Sequence, residues 1–130
     1  MIDDFNADRT GWARFSDDRA MRYRLARSLT GRPIQVDRDE VFWADDESKR
    51  DPWDIPRPTR VTFLMLNPST ADAFELDPTI KRCRRRALAM GAEVLEVVNL
   101  FAFRSPYPED LRLRARGFRG DDEDNNTQIL

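Results

Sequence analysis

VTFLMLNPSTADAFELDPTIKRCRRRALAMGAEVLEVVNLFAF, residues 61–103, is the stretch that decides how this chain is read. Val61 to Leu66 is continuously apolar and β-rich, as expected of a strand buried on both faces. A polar loop follows. Asp77-Pro78-Thr79 then reads as a helix start, with Asp77 as N-cap and Pro78 at the first helical position, where a missing N–H costs nothing. The helix is expected to run to Met90 and stop at Gly91, burying Ile80, Cys83, Ala87 and Met90 at helical spacing. Val94 to Phe103 reads as a second buried strand. Strand, helix and strand in so short a span predict a βαβ unit, parallel and right-handed in nearly all cases. Ligands of such sheets bind at the carboxyl ends of the strands, and the segments after Leu66 and after Val98 both fall there.

Outward from this unit the pattern weakens. Trp12 to Phe15 fits a short strand and Ser16-Asp17-Asp18 a turn. Met21, Tyr23 and Leu25 alternate as in a strand, whereas Met21, Leu25 and Leu29 also fit a helix; a hairpin is the expectation adopted. Thr30-Gly31-Arg32-Pro33 breaks the segment, and Val41-Phe42-Trp43 suggests another short strand. Residues 44–60, charged and carrying Pro52, Pro56 and Pro58, read as a surface loop. Residues 1–10 and 120–130 are expected to be loose. The expected fold class is therefore α/β: one domain over residues 1–130, of three-layer α/β/α type, with a mainly parallel central sheet preceded by an N-terminal β-hairpin.

Composition narrows the function classes. A chain of 130 residues with 40% hydrophobic residues supports one core, burying roughly two-thirds of its unfolded surface. The 22 basic and 24 acidic residues nearly cancel, so net charge exerts no overall pull toward nucleic acid or membrane. No apolar run approaches the roughly 20 residues of a spanning helix, and the acidic N-terminal residues lack a signal-peptide pattern. With a single cysteine, Cys83, the expectation is a cytoplasmic chain without a disulfide framework. Histidine is absent, which removes Ser–His and Cys–His mechanisms and any histidine general base.

Three elements could carry chemistry. Asn67-Pro68-Ser69-Thr70-Ala71-Asp72 offers hydrogen-bonding side chains behind a stiff proline. It either positions a ligand or a water molecule, or forms a turn whose side chains satisfy local amides. It lacks the glycine spacing and following Gly-Lys of a phosphate-binding P-loop. Asn99, ending the second strand, could pair bidentately with a nucleobase edge, with Phe101 or Phe103 stacking on the base; equally, it could satisfy a neighbouring loop. Arg104, beside the same strand end, could clamp a phosphate or carboxylate, while Lys81, Arg82, Arg85 and Arg86 read as the solvated side of the helix. With Asp77 occupied as a cap, Asp72 is the carboxylate left for catalysis or metal coordination. Cys83 reads as inert core, and no metal site has suitable ligand types and spacing.

Met65-Leu66-Asn67-Pro68-Ser69-Thr70-Ala71-Asp72-Ala73, Asp77-Pro78-Thr79-Ile80 with Arg82-Cys83, and Val98-Asn99-Leu100-Phe101-Ala102-Phe103-Arg104, in that order, closely resemble an uncharacterised bacterial and phage family, domain of unknown function 1643. The resemblance extends over most of residues 12–130. A fainter likeness connects the Asn-Pro loop and the strand-terminal Asn-Leu with the uracil-DNA glycosylase superfamily. That likeness implies that Asn67 would hold an attacking water, Asn99 would read the base, and Pro68 to Thr70 would shape the pocket wall. Both groups usually carry a later His-Pro motif, which this histidine-free chain lacks. The chain is accordingly expected to be short at its C-terminus, and the likeness implies a base pocket more strongly than base excision.

The functional expectation is a nucleobase- or nucleotide-binding site at the strand ends of a glycosylase-like, nucleobase-processing enzyme. The alternatives are a non-catalytic nucleotide or nucleic-acid binding module and a protein-interaction domain. Asn67 and Asp72 are the expected catalytic residues; Pro68, Ser69, Thr70, Asn99, Phe101 and Arg104 are the expected binding residues. A nucleobase, nucleotide or DNA is the expected partner, with no membrane, metal or cofactor, and the oligomeric state is left open.

Overall fold

The computed structural model describes residues 1–37, 39–44 and 58–105. Its elements are β1 (Ile2–Phe5), β2 (Gly11–Phe15), β3 (Arg22–Ser28), β4 (Ile34–Asp37), β5 (Glu40–Trp43), β6 (Arg60–Met65), α1 (Pro78–Ala89) and β7 (Val94–Asn99). One five-stranded sheet has the order β1-β2-β3-β7-β6, and β4 pairs with β5 in a separate hairpin.

The βαβ unit forms as the sequence indicates. β6 and β7 pair in parallel, with Val61 opposite Leu95 and Met65 opposite Asn99, and α1 makes the crossover between them. Asp77 caps α1 by accepting a hydrogen bond from the Ile80 amide at 2.9 Å. Its second carboxylate oxygen accepts from the Ala71 amide at 3.4 Å, which ties the preceding loop to the helix start. At the other end the chain leaves through Gly91 at φ 76, the left-handed turn that glycine adopts without strain. Asp77→Ala is expected to lower stability by about 1 kcal/mol, the usual worth of an N-cap, read as a lower urea midpoint with an unchanged slope.

The three-layer α/β/α expectation is corrected by the rest of the sheet. β1, β2 and β3 form an antiparallel meander, and β3 then pairs antiparallel with β7. Among the described residues only β6 and β7 pair in parallel. The reason is connectivity: short turns can join only antiparallel neighbours, and a parallel pair needs a crossover. Among the described residues α1 is the single helix that could provide one. The protein is thus mostly β, with a mixed sheet covered by α1 on one face and by the β4–β5 hairpin on the other.

Two cores result. Ile80, Cys83 and Ala87 of α1 pack on Leu25, Leu95 and Val97, with Val61, Phe63 and Met65 at the margin. Ile34, Val41 and Trp43 of the hairpin pack on Trp12, Ala26 and Val94. Each wholly buried apolar side chain of this size contributes roughly 1.5–3 kcal/mol. Burial also pushes the Cys83 thiol above its usual range, which keeps it protonated at neutral pH.

Several local expectations shift with this architecture. β6 is not buried on both faces: among the described residues it is the last strand of the sheet, and Leu64 is exposed while Val61, Phe63 and Met65 are half-buried. Met90 is 67% exposed, because it is the C-cap, past the last buried turn of α1. β7 ends at Asn99 rather than Phe103, after which Leu100 and Phe101 turn outward. Residues 1–10, read above as loose, contain β1, whose pairing with β2 is reinforced by an Arg14–Asp3 ion pair at 2.7 Å. Most of the proline-bearing 44–60 stretch and the 120–130 segment lie outside the described residues. No helix among the described residues is long and apolar enough to cross a membrane.

Candidate functional site

The loop after β6 is the part of the chain that the fold spends most effort on holding. It turns back across the sheet, where Ala71 joins the α1 core and Ala73 packs on Ala13 and Phe15 of β2. Its own side chains stiffen it. Asp72 Oδ1 accepts from the Phe74 and Glu75 amides, each at 2.8 Å, closing a tight turn. Asn67 Nδ2 donates to the Ser105 carbonyl at 2.7 Å and to the Pro68 carbonyl at 3.0 Å, and the Ser105 amide returns a bond to Pro68 O at 2.9 Å. The loop after β6 and the segment after β7 are thereby laced together.

Arginines hold the rest. Four successive loop carbonyls receive guanidinium donors from elsewhere in the fold. Arg104 Nε reaches Ser69 O at 3.1 Å and its Nη2 reaches Thr70 O at 3.3 Å. Arg22 Nη1 reaches Ala71 O at 2.8 Å, and Arg27 Nη2 reaches Asp72 O at 2.9 Å. Backbone carbonyls take these charged donors well, but they bring no formal negative charge.

Between this loop, the end of β7 and the start of α1 lies a cleft of about 490 Å3. Asn67, Ser69, Thr70, Asn99 and Ser105 bring polar groups to it, Met65 and Leu66 apolar ones, Pro78, Thr79 and Ile80 the first turn of α1, Arg22 a cation and Asp77 a carboxylate. A second cleft of about 470 Å3, lined by Arg19, Phe103 and Arg104 among others, shares Ser69, Thr70 and Ser105 with the first.

Of the expected site residues, Asn67, Ser69, Thr70 and Asn99 come together around the first cleft. Asn99 is wholly buried there. Pro68 is buried beneath the loop as a hydrogen-bond acceptor for Ser105. Phe101 turns outward, and Asp72 uses its carboxylate on the loop's own amides; neither lines this cleft. Arg104 stacks its guanidinium 4.9 Å over the Phe15 ring and donates to loop carbonyls, so in this structure it holds the loop and lines the second cleft. Lys81, Arg82, Arg85 and Arg86 lie on the exposed face of α1.

Arg22 is the participant that the sequence did not single out. It is 1% exposed. Burial is the main cause that lowers its pKa to about 10, opposed by the more distant charges of Asp77 and Asp72. A cation whose folded-state pKa is depressed destabilises the fold at every pH below that value, because the unfolded chain holds the proton more tightly. The penalty is relieved only as pH rises from about 10 toward the ordinary arginine range. At neutral pH Arg22 is therefore charged, buried and costly. No local signal marks it: an arginine between Met21 and Tyr23 in an alternating strand reads as solvent-facing.

Comparison with known proteins adds one relationship. No curated protein and no solved structure matches the chain. The family model described as protein of unknown function (DUF1643) matches residues 49–130, a narrower span than the 12–130 expected from the motifs. The matched span carries the site loop, α1 and the Asn99 strand, whereas Arg22 and the β1–β3 meander lie before it. With well over half of its residues matched, this chain belongs to the DUF1643 family of proteins of unknown function.

Proposed function

We propose that the protein binds a nucleobase or nucleotide in the cleft between the β6 loop, the end of β7 and the start of α1. The observation carrying this reading is that Asn67 and Asn99, from separate motifs, line one cleft. A side-chain amide is the group that matches a base edge; with the Nδ2 of Asn67 donating to the Ser105 and Pro68 carbonyls, Asn67 turns its Oδ1 acceptor to a ligand. The volume lies within the range of small-molecule sites, with apolar Met65, Leu66 and Ile80 beside the polar groups.

Binding is favoured over catalysis by the state of the acidic groups. Asp77 spends both carboxylate oxygens on the Ile80 and Ala71 amides and Asp72 spends Oδ1 on the Phe74 and Glu75 amides, so both serve the local backbone. The second reading, a glycosylase-like enzyme, draws on Asn67. Its Nδ2 is anchored to Ser105 and Pro68, an arrangement that would hold Oδ1 in place to orient a water molecule.

The test is an amide NMR titration with uracil, other free bases, nucleosides and nucleotides. Shifts centred on residues 67–70 and on Asn99 are expected, and Asn99→Ala should weaken binding at least tenfold, a loss of about 1.4 kcal/mol. A folded protein with no shifts at these positions would overturn the proposal, and base release by the purified chain would move the enzymatic reading to the front.

A further inference from the structure

We propose that Arg22 is the anion-binding group of this cleft, and that the ligand carries a phosphate seated between the Arg22 guanidinium and the first turn of α1. This deepens the reading above, on which it rests for the cleft being a ligand site, by naming the ligand as phosphorylated.

Arg22 carries a buried charge that no described side chain compensates at ion-pairing distance. Arg22 Nη1 is satisfied by the Ala71 carbonyl, but Nε is buried without an acceptor. Among the described residues no carboxylate lies within ion-pairing distance of it. The two nearest candidates are engaged elsewhere. Asp77 gives its oxygens to the Ile80 and Ala71 amides, and Asp72 gives Oδ1 to the Phe74 and Glu75 amides. Arg104, close enough to be felt by Arg22, adds more positive charge. Buried cations are normally paired, because removing them from water without a counter-charge is expensive. An arginine that is buried, unpaired and lining a cleft is therefore set up to receive its counter-charge from a ligand.

The opposite wall fits the same anion. Pro78, Thr79 and Ile80 form the first turn of a twelve-residue helix whose N-terminus faces the cleft. Such an end carries partial positive charge and outward amides. The cap accounts for part of that capacity: the Asp77 carboxylate, which also lines the cleft, offsets some of the charge and takes the Ile80 amide, and Pro78 has none, which leaves the Thr79 amide and hydroxyl beside the Arg22 cation. Ser69 and Thr70 supply hydroxyl donors from the loop side. Several donors converging around one guanidinium match a tetrahedral phosphate better than a planar carboxylate.

The experiment compares uridine, uridine 5′-monophosphate, inorganic phosphate and a short oligouridylate without terminal phosphate, each titrated into the intact chain. Readouts are the backbone amides and the Arg22 Nε–H resonance. The monophosphate is expected to bind at least tenfold more tightly than the nucleoside. Inorganic phosphate alone should shift Arg22 Nε–H together with the Ser69 and Thr79 amides. In Arg22→Gln, which keeps an amide donor for Ala71 O, the preference for the monophosphate should collapse to about one while the melting temperature does not fall. Tight binding of the oligouridylate through the same resonances would place the phosphate in a nucleic-acid backbone.

Equal affinity for nucleoside and monophosphate, or an undiminished preference in Arg22→Gln, overturns the proposal. Should that variant fail to fold, an Arg22 Nε–H resonance unmoved by phosphate in the unaltered chain does the same. The two readings fail separately. Phosphate shifts at Arg22 with no base-dependent shifts at Asn67 or Asn99 would remove the nucleobase and keep the anion site. The reverse pattern would keep the nucleobase and remove the phosphate.

Discussion

Gly11→Ala is expected to destabilise the protein by about 3 kcal/mol, the upper end of the range for overpacking a tight core. Gly11 lies in β2 where the site loop crosses the sheet. A Cβ built there would sit well inside contact distance of the Ala73 carbonyl oxygen and of Arg27 Nη1. A flexible guanidinium could move aside, but Ala73 O belongs to the backbone of the loop. The loop is pinned immediately before that point, by Arg27 on the Asp72 carbonyl and by Arg22 on the Ala71 carbonyl. To admit one methyl group the loop must rise off the sheet, and it must surrender these bonds to do so. The variant should thus show both a lower urea midpoint and amide shifts concentrated in residues 69–75. Gly31→Ala provides the contrast. Gly31 has open space around its Cβ position but a φ of 84, so its penalty comes from conformation alone and should stay near 1 kcal/mol. A Gly11→Ala protein as stable as the Gly31→Ala protein would mean that the loop does not press on β2.

The contrast between these glycines shows where the sequence is legible. Gly91 after an amphipathic run announces a helix end, and Asp77-Pro78 announces its start, because capping is a local matter of a few backbone groups. The strands on either side of α1 are legible for the same reason: their apolar runs are long and bounded. Gly11 announces nothing, since its neighbour is Ala73, far along the chain. The misread fold class has a similar origin. A βαβ unit is recognisable from residues 61–99, but whether the remaining strands join it in parallel depends on connections, and β1, β2 and β3 are joined by turns too short for a crossover. The N-terminal half carries weak alternation, and its sheet partners are set by tertiary pairing rather than by propensity.

The candidate site divides along the same line. Asn67, Ser69, Thr70 and Asn99 were visible because polar residues at the ends of apolar strands stand out. For Asp72 the sequence left two roles open, a ligand group or a turn satisfying its own amides, and for Arg104 it offered an anion clamp, because a side chain's partner decides whether it serves a ligand or the loop. Asp72 closes its own turn, and Arg104 reaches back to Ser69 and Thr70. The buried arginines of β3 were the least visible. Alternation places Arg22 and Arg24 on a solvent face, yet both are buried, Arg22 against the site loop and Arg24 beneath the β4–β5 hairpin. A strand of seven residues with arginines at positions 22, 24 and 27 is paired and covered because other parts of the chain supply acceptors for them.

Arg24 yields the largest expected effect. Its Nη2 donates to Glu96 Oε1 at 2.6 Å, with the two side chains 7% and 6% exposed. Arg24 also donates to the Asp39 carbonyl of the hairpin and lies 4.9 Å over the Trp12 ring. Glu96 in turn accepts from Arg60 at 3.3 Å, but Arg60 is 44% exposed, so that second contact is screened and contributes little. Glu96→Ala is expected to cost about 3–5 kcal/mol, because it strands a cation in the core between β3 and β7 rather than merely deleting a contact. Arg24→Ala should cost less than Glu96→Ala, since the remaining carboxylate keeps Arg60 as a partner at the sheet edge. Replacing both, as Arg24→Met with Glu96→Leu, should recover most of the loss, because the attraction in a buried pair roughly cancels the desolvation of its members. A double-mutant cycle in urea therefore has a definite sign: the pair of changes is milder than the sum of its parts by at least about 2 kcal/mol. Additive losses would show that Arg24 and Glu96 are not energetically coupled, and that the packing of Trp12 against Ala26 and Val94 holds the hairpin to the sheet without them.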